Sequence, residues 1–233
     1  MVYCELGRLP LICYRKLRII KYWLKLKNTK NCILKSSFEY LCHEFHTKSN
    51  CKNWIAYVFN TLSEIGLRDL FLEYNHLDAK LIFPIVKQRI IDIYKQSLIT
   101  EISSSSKCFM YKHLIDHIDL QTYLKKPIYN QYKKCITRLR LSSHCLSIET
   151  GRYKNIPLDR RICPMCKTDV EDEFHFVLKC PAYASLRVKF LKPYYFQRPS
   201  VFKLIQLFTS TNTKELCYLG KYIKNAFDIR KRL

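Results

Sequence analysis

Apolar residues return every three or four positions along most of this chain, with polar ones between them, the periodicity of helices packed on one face rather than of alternating strands. After Pro10, the segment 11–27 sets Leu17, Ile20 and Leu24 on one face and Arg18, Lys21 and Lys25 beside them. The pattern predicts further helices over about 36–45 and 52–64, the second carrying Trp54, Val58 and Leu62 before Gly66 as a stop signal. A long helical pattern over 81–102 contains Pro84, expected at a start or a kink rather than in an interior position. Four serines at 103–106 then interrupt the periodicity. Beyond them, short helices are expected over 107–114 and 120–125. A stronger one over 129–141 turns Tyr132, Ile136 and Leu139 inward and Lys133, Lys134, Arg138 and Arg140 outward. Two helices close the chain over about 200–208 and 213–230, the last with Leu216, Leu219, Ile223 and Ala226 on its apolar face. The expected fold is mainly α: a bundle-like basic helical region over 1–102, and a second helical region over 107–233 that carries a small zinc module at 163–180.

Composition agrees with that reading. Hydrophobic residues make up 48% of the chain, enough for a core, and only four glycines and eight prolines argue against a turn-rich sandwich. No apolar run reaches the roughly 18 residues of a membrane span, and the first residues lack the apolar block of a signal peptide. The expectation is an intracellular protein, nuclear or cytoplasmic, with no membrane partner. In such a compartment the twelve cysteines stay reduced. Cys13, Cys135 and Cys217 fall on amphipathic patterns and are expected to act as small core hydrophobes.

Charge adds a partner. The formal net charge is +22, from 41 Lys and Arg against 19 Asp and Glu. Such an excess suits a polyanion, because each phosphate neutralised releases condensed counterions. Positions 8–30 hold eight basic residues and no acidic one, and 125–161 hold ten basic residues against Glu149 and Asp159. The candidate contacts to RNA or DNA are Arg18, Lys21 and Lys25 in the first stretch, and Lys133, Lys134, Arg138, Arg140, Arg152, Lys154, Arg160 and Arg161 in the second. Tyr129, Tyr132, Tyr153, Tyr194 and Tyr195 lie among cations, where rings can stack on unpaired bases or simply edge the core.

The sharpest chemical signal is the run from Cys163 to Cys180, which reads C-x2-C-x8-H-x4-C. Cys163, Cys166, His175 and Cys180 are soft ligands that saturate one Zn²⁺ tetrahedrally and leave no open position, as a structural site requires. Pro164 pre-sets a tight turn between the first two. The stretch from Thr168 to Glu171 reads as a capping box opening a short helix that carries His175, with Glu171, Asp172 and Glu173 placed to complement its dipole. Phe174, Phe176, Val177 and Leu178 are expected to pack around the metal, and Pro181 to start the next helix.

Together these residues resemble the C-terminal region of non-LTR retrotransposon reverse transcriptases of the jockey-like type. The resemblance rests on Glu-Leu-Gly-Arg-Leu-Pro-Leu at 5–11, the basic Ile-Lys-Tyr-Trp-Leu-Lys stretch at 20–25, Thr-Arg-Leu-Arg-Leu-Ser-Ser-His at 137–144, Gly-Arg-Tyr at 151–153 and the cysteine–histidine module ending in Cys-Pro-Ala-Tyr. It implies metal ligation by Cys163, Cys166, His175 and Cys180, and contact with element RNA or target DNA during target-primed reverse transcription. It also implies a chain that normally follows a polymerase domain, which would be a further partner. It carries no catalysis: the paired aspartates of a polymerase have no counterpart, since no Asp-Asp dipeptide occurs, and neither an endonuclease constellation nor a phosphate-cradling glycine loop is present. The expected function is a non-catalytic, zinc-stapled nucleic-acid-binding module; the alternative is a structural or protein-interaction scaffold with the same zinc.

Two further groupings carry less. Cys42, His43, His46 and Cys51 have the residue types for a second metal, or form a helix end with exposed imidazoles. His113 and His117 lie four apart but lack a third firm ligand. Asp116 and Asp119 suit a solvated helix better than acid–base chemistry.

Overall fold

A computed structural model describes residues 1–48, 50–72, 78–108, 110–115 and 118–232. The fold is mainly α. Its helices are, in order, α1 (Val2–Leu6), α2 (Leu11–Lys27), α3 (Cys32–Thr47), α4 (Trp54–Glu64), α5 (Asp69–Leu72), α6 (Ala79–Ser104), α7 (Thr122–Lys125), α8 (Asn130–Arg140), α9 (Ser147–Tyr153), α10 (Ala184–Phe190), α11 (Pro193–Phe196), α12 (Val201–Phe208) and α13 (Thr213–Arg230). Among the described residues one isolated antiparallel bridge, between Ile162 and Val170, stands outside them. None of the described helices is long and apolar enough to cross a membrane.

The chain divides into two compact units, one of residues 9–100 and one that joins residues 1–8 to residues 101–233. This differs from a division at the serine run. Helix α6 continues through Ser103 and Ser104, so the serines do not mark a clean break. The first eight residues belong with the C-terminal half because Glu5 is buried there.

In the 9–100 unit, Cys13, Leu17, Ile20 and Leu24 return along α2 at helical spacing and are buried with Ile55, Val58 and Leu62 of α4 and Val86 and Ile90 of α6. Each large aliphatic side chain so removed from water contributes about 1.5–3 kcal/mol. Trp23 is fully buried and stacks on Phe71 with centroids 6.2 Å apart. Asn53 caps α4 by accepting from Ala56 N at 3.1 Å, and its Nδ2 donates to Leu41 O at 2.9 Å, which ties α4 to α3. Pro84 corrects the sequence reading: α6 starts earlier, at Ala79, so the proline sits inside the helix, one turn past its start.

In the other unit α8 and α13 pack face to face. Ile136 and Leu139 meet Leu216, Leu219, Tyr222, Ile223 and Ala226, all buried. Gly220 is required at this crossing, because a Cβ there would lie 2.3 Å from Tyr132 Cβ. Helix α1 ends at Gly7, φ 59°, where a Cβ would meet Leu120 N at 2.4 Å. That close approach lets Gln121 N donate to Glu5 O at 3.0 Å. Cys13 is core as expected, whereas Cys135 and Cys217 are half-buried against the core.

Candidate metal centre

Two backbone devices bring the four motif residues to one point. The bridge between Ile162 and Val170 closes a tight loop in which Cys163 N donates to Asp169 O at 2.8 Å and Lys167 N to Cys163 O at 2.9 Å. Lys167 adopts φ 59°, the left-handed turn that folds the loop back after Cys166. Asp172 Oδ1 then accepts from His175 N at 2.6 Å and opens the turn His175–Lys179. This turn is wider than an α-helix: Cys180 N reaches His175 O, five residues back, at 2.7 Å.

The ligand atoms of Cys163, Cys166, His175 and Cys180 all lie within 4.8 Å of one another. Cys163 Sγ and Cys180 Sγ are 3.8 Å apart, and Cys166 Sγ is 3.3 Å from His175 Nε2. Tetrahedral bonds of about 2.3 Å to sulfur and about 2.0 Å to nitrogen set sulfur–sulfur and sulfur–nitrogen edges of about 3.8 and 3.5 Å. The sulfurs are too far apart for a disulfide, whose bond is about 2.05 Å. Cys163 and Cys180 are fully buried and His175 nearly so, with Nδ1 making no hydrogen bond and Asp169 Oδ2 at 3.9 Å. These residues form a group able to hold one metal ion, to which they offer four ligand atoms.

The electrostatics make a cation the natural occupant. Burial pushes the Cys163 thiol up and the Cys180 thiol to about 12. At Cys166 burial acts in the same sense, but hydrogen bonds from the Thr168 side chain and backbone, then from Cys163 and Cys180, outweigh it and pull the thiol down to about 6. One thiolate forms readily here; three together need a positive charge among them.

The capping-box reading of Thr168 and Glu171 is not what the structure shows. Thr168 Oγ1 lies 3.1 Å from Cys166 Sγ, and Asp172 caps the turn. Glu171 is fully buried: Arg230 Nε and Nη2 donate to its two oxygens at 2.7 and 2.8 Å, and Ser147 N and Oγ donate to Oε2 at 2.6 and 2.8 Å. Glu173 is buried as well and receives Ser142 Oγ at 3.1 Å, with His144 Nε2 at 3.0 Å. Glu171 and Glu173 therefore knit the metal loop to its surroundings, while Asp172 caps the turn within it. Arg187, also unforeseen, donates to Cys180 O at 2.6 Å, and Tyr222 donates to Phe176 O at 2.7 Å. Phe176, Val177 and Leu178 are buried around the centre as expected, and Phe174 half-buried.

The candidate cations separate into two kinds. Arg18, Lys21, Lys25, Lys134, Arg138, Lys154 and Arg160 are exposed. Arg140 is 1% exposed: it binds Glu5 at 3.0 Å and donates to Phe208 O at 3.1 Å and Gln121 Oε1 at 3.0 Å. It points inward because α1 supplies a carboxylate to meet it, and it is closed to phosphate. Arg161 donates to Ile156 O and Ile148 O, each at 2.9 Å, and lies against Gly151. Lys133 donates to Leu124 O at 2.9 Å, and Arg152 pairs with Glu149 at 2.8 Å. Tyr129, Tyr153 and Tyr194 are exposed, Tyr132 is half-buried, and Tyr195 is buried.

Cys42, His43, His46 and Cys51 do not gather into a ligand cluster; among the described residues the group of Cys163, Cys166, His175 and Cys180 is the one that does. Cys42 packs on the core of its unit, and His43 and His46 are exposed. Asp116 and His117 lie outside the described residues. Comparison of the chain with protein-family models, with curated proteins and with solved structures finds no match.

Proposed function

We propose that Cys163, Cys166, His175 and Cys180 hold one structural zinc ion, and that the protein is a non-catalytic nucleic-acid-binding module of the kind the sequence resembles, the C-terminal region of non-LTR retrotransposon reverse transcriptases. The donor chemistry supports zinc: three thiolates and an imidazole in a tetrahedral cage with no open position suit a redox-inert ion that staples a fold. RNA or target DNA is the partner, and an upstream polymerase domain is a second one.

The observation that carries the nucleic-acid reading is a cleft of about 440 Å³ lined by Arg18, Lys21, Tyr22, Lys25 and Ala79. All three cations chosen from the first basic stretch line this one cleft, beside a half-exposed tyrosine ring, and among the described residues none of them lies in an ion pair with a carboxylate. Cations that track phosphate next to an aromatic face are the means by which proteins hold unpaired strands. The test is filter binding of single-stranded RNA and DNA across a salt series, in which affinity should fall by orders of magnitude between about 50 and 200 mM salt. No binding at low salt, with a protein partner retained at high salt, would favour the scaffold instead.

A further inference from the structure

Helices α8 and α13 enclose a second cleft, of about 420 Å³, within the unit that holds the metal centre. One wall is the stripe Gln131, Lys134, Cys135 and Arg138, spaced i, i+3, i+4, i+7 along α8. The other is Lys224, Phe227, Asp228 and Lys231, with the same spacing along α13 and its cap. Ser143, His144 and Cys145 close the end. The two stripes face each other because each helix buries the adjacent stripe in the core.

Polarity is layered across this cleft. Cys135 and Phe227 are half-buried against the core and form an apolar floor, Phe227 with its ring 4.7 Å from that of Phe176. Lys134, Arg138 and Lys231 stand exposed above it. Four cations face one carboxylate, Asp228, whose pairs with Lys224 and Lys231 are long, at 3.7 and 4.0 Å. His144 is held by Glu173 at 3.0 Å. A cleft with cations at the rim and an apolar floor matches a group that is anionic at one end and flat and apolar at the other.

We propose that the cleft between α8 and α13 binds a nucleotide, with its phosphate among Lys134, Arg138, Lys224 and Lys231 and its base toward Phe227. This rests on the nucleic-acid reading above and gives it a second contact point, on the unit stapled by the metal. The nucleotide is one residue of a bound strand or a free mononucleotide.

The experiment uses the full chain, loaded with zinc, and two readouts. In the first, binding of a labelled single-stranded oligouridine is compared for the wild type, for Lys134→Gln with Arg138→Gln, and for Arg18→Gln with Lys25→Gln. The α8 pair is exposed and makes no side-chain hydrogen bond or ion pair among the described residues, so folding should be unchanged by circular dichroism. Its affinity should drop about 10-fold, with a shallower salt dependence. In the second, alkylation by iodoacetamide is followed residue by residue by mass spectrometry. Cys145, exposed at the cleft, should be protected by the oligonucleotide, while Cys32, exposed in the other unit, serves as the reference. Protection by uridine monophosphate as strongly as by the strand would identify a free-nucleotide site; protection by the strand alone would identify a strand contact. Wild-type affinity in the α8 variant together with unchanged Cys145 reactivity would overturn the cleft while leaving the wider reading intact. Binding by neither ligand would overturn both.

Discussion

Glu171 and Arg230, separated by 59 positions, form a two-pronged ion pair at 2.7 and 2.8 Å, with the carboxylate fully buried and the guanidinium largely so. Glu171 lies within the metal loop, and Arg230 ends the last long helix. The pair thus fastens the loop to α13, and Ser147, donating twice to the same carboxylate, fastens α9 to both.

Removing one partner leaves the other buried and uncompensated. Glu171→Gln should destabilise the protein by about 3–5 kcal/mol. It should also weaken zinc retention about 10- to 100-fold, as loss of outer-shell support does at other metal sites. Chemical denaturation and competition with a chromogenic chelator check the two effects separately.

Zinc analysis of protein purified under reducing conditions should find about one ion per chain, and Cys180→Ser should lose it. Chelation should unfold much of the unit of residues 101–233, because the turn His175–Lys179 is too short to hold itself. The unit of residues 9–100, with its own core, should keep its helical signal. Cys217→Ser should leave the zinc content unchanged.

Metal uptake should release protons in a countable way. At pH 7.5 the metal-free Cys166, near 6, is already ionised, whereas Cys163 and Cys180 are held protonated by burial. Binding should therefore expel about two protons per zinc, and a third below about pH 6 as Cys166 also protonates. Affinity should consequently weaken as pH falls. Calorimetry in buffers of different ionisation enthalpy measures the count.

Arg140 and Arg138 lie two residues apart and should behave oppositely. Arg140→Gln should cost about 3–5 kcal/mol of stability by stranding Glu5, with no change in the salt dependence of RNA binding. Arg138→Gln should leave the melting temperature within about 1 °C and weaken RNA binding. Thermal melts paired with filter binding separate the two.

Local periodicity carried most of the helices. The segment 11–27 and the segment 213–230 coincide with α2 and α13, because each buries a stripe that recurs every turn. The metal cluster was legible for a similar reason, since its ligands are close in sequence and chemically distinctive. Glu171 and Arg140 were not. Each reads as a solvated charge on its own helix or turn, and only a partner 59 or 135 positions away makes burial tolerable. Pro84 was misplaced because its effect depends on where the helix starts, and Asp78, whose Oδ1 accepts from Lys80 N at 2.8 Å, starts it sooner than the apolar pattern suggests.

The docking of α1 also has a consequence in time. Glu5 leaves the ribosome long before Gln121, Tyr123 and Arg140, which hold it and are made only after the whole 9–100 unit. At elongation rates of about 5–20 residues per second, that delay is on the order of ten seconds. Throughout it the N-terminal segment, including Cys4, stays exposed to proteases, oxidants and chaperones that cannot reach it once the fold has closed.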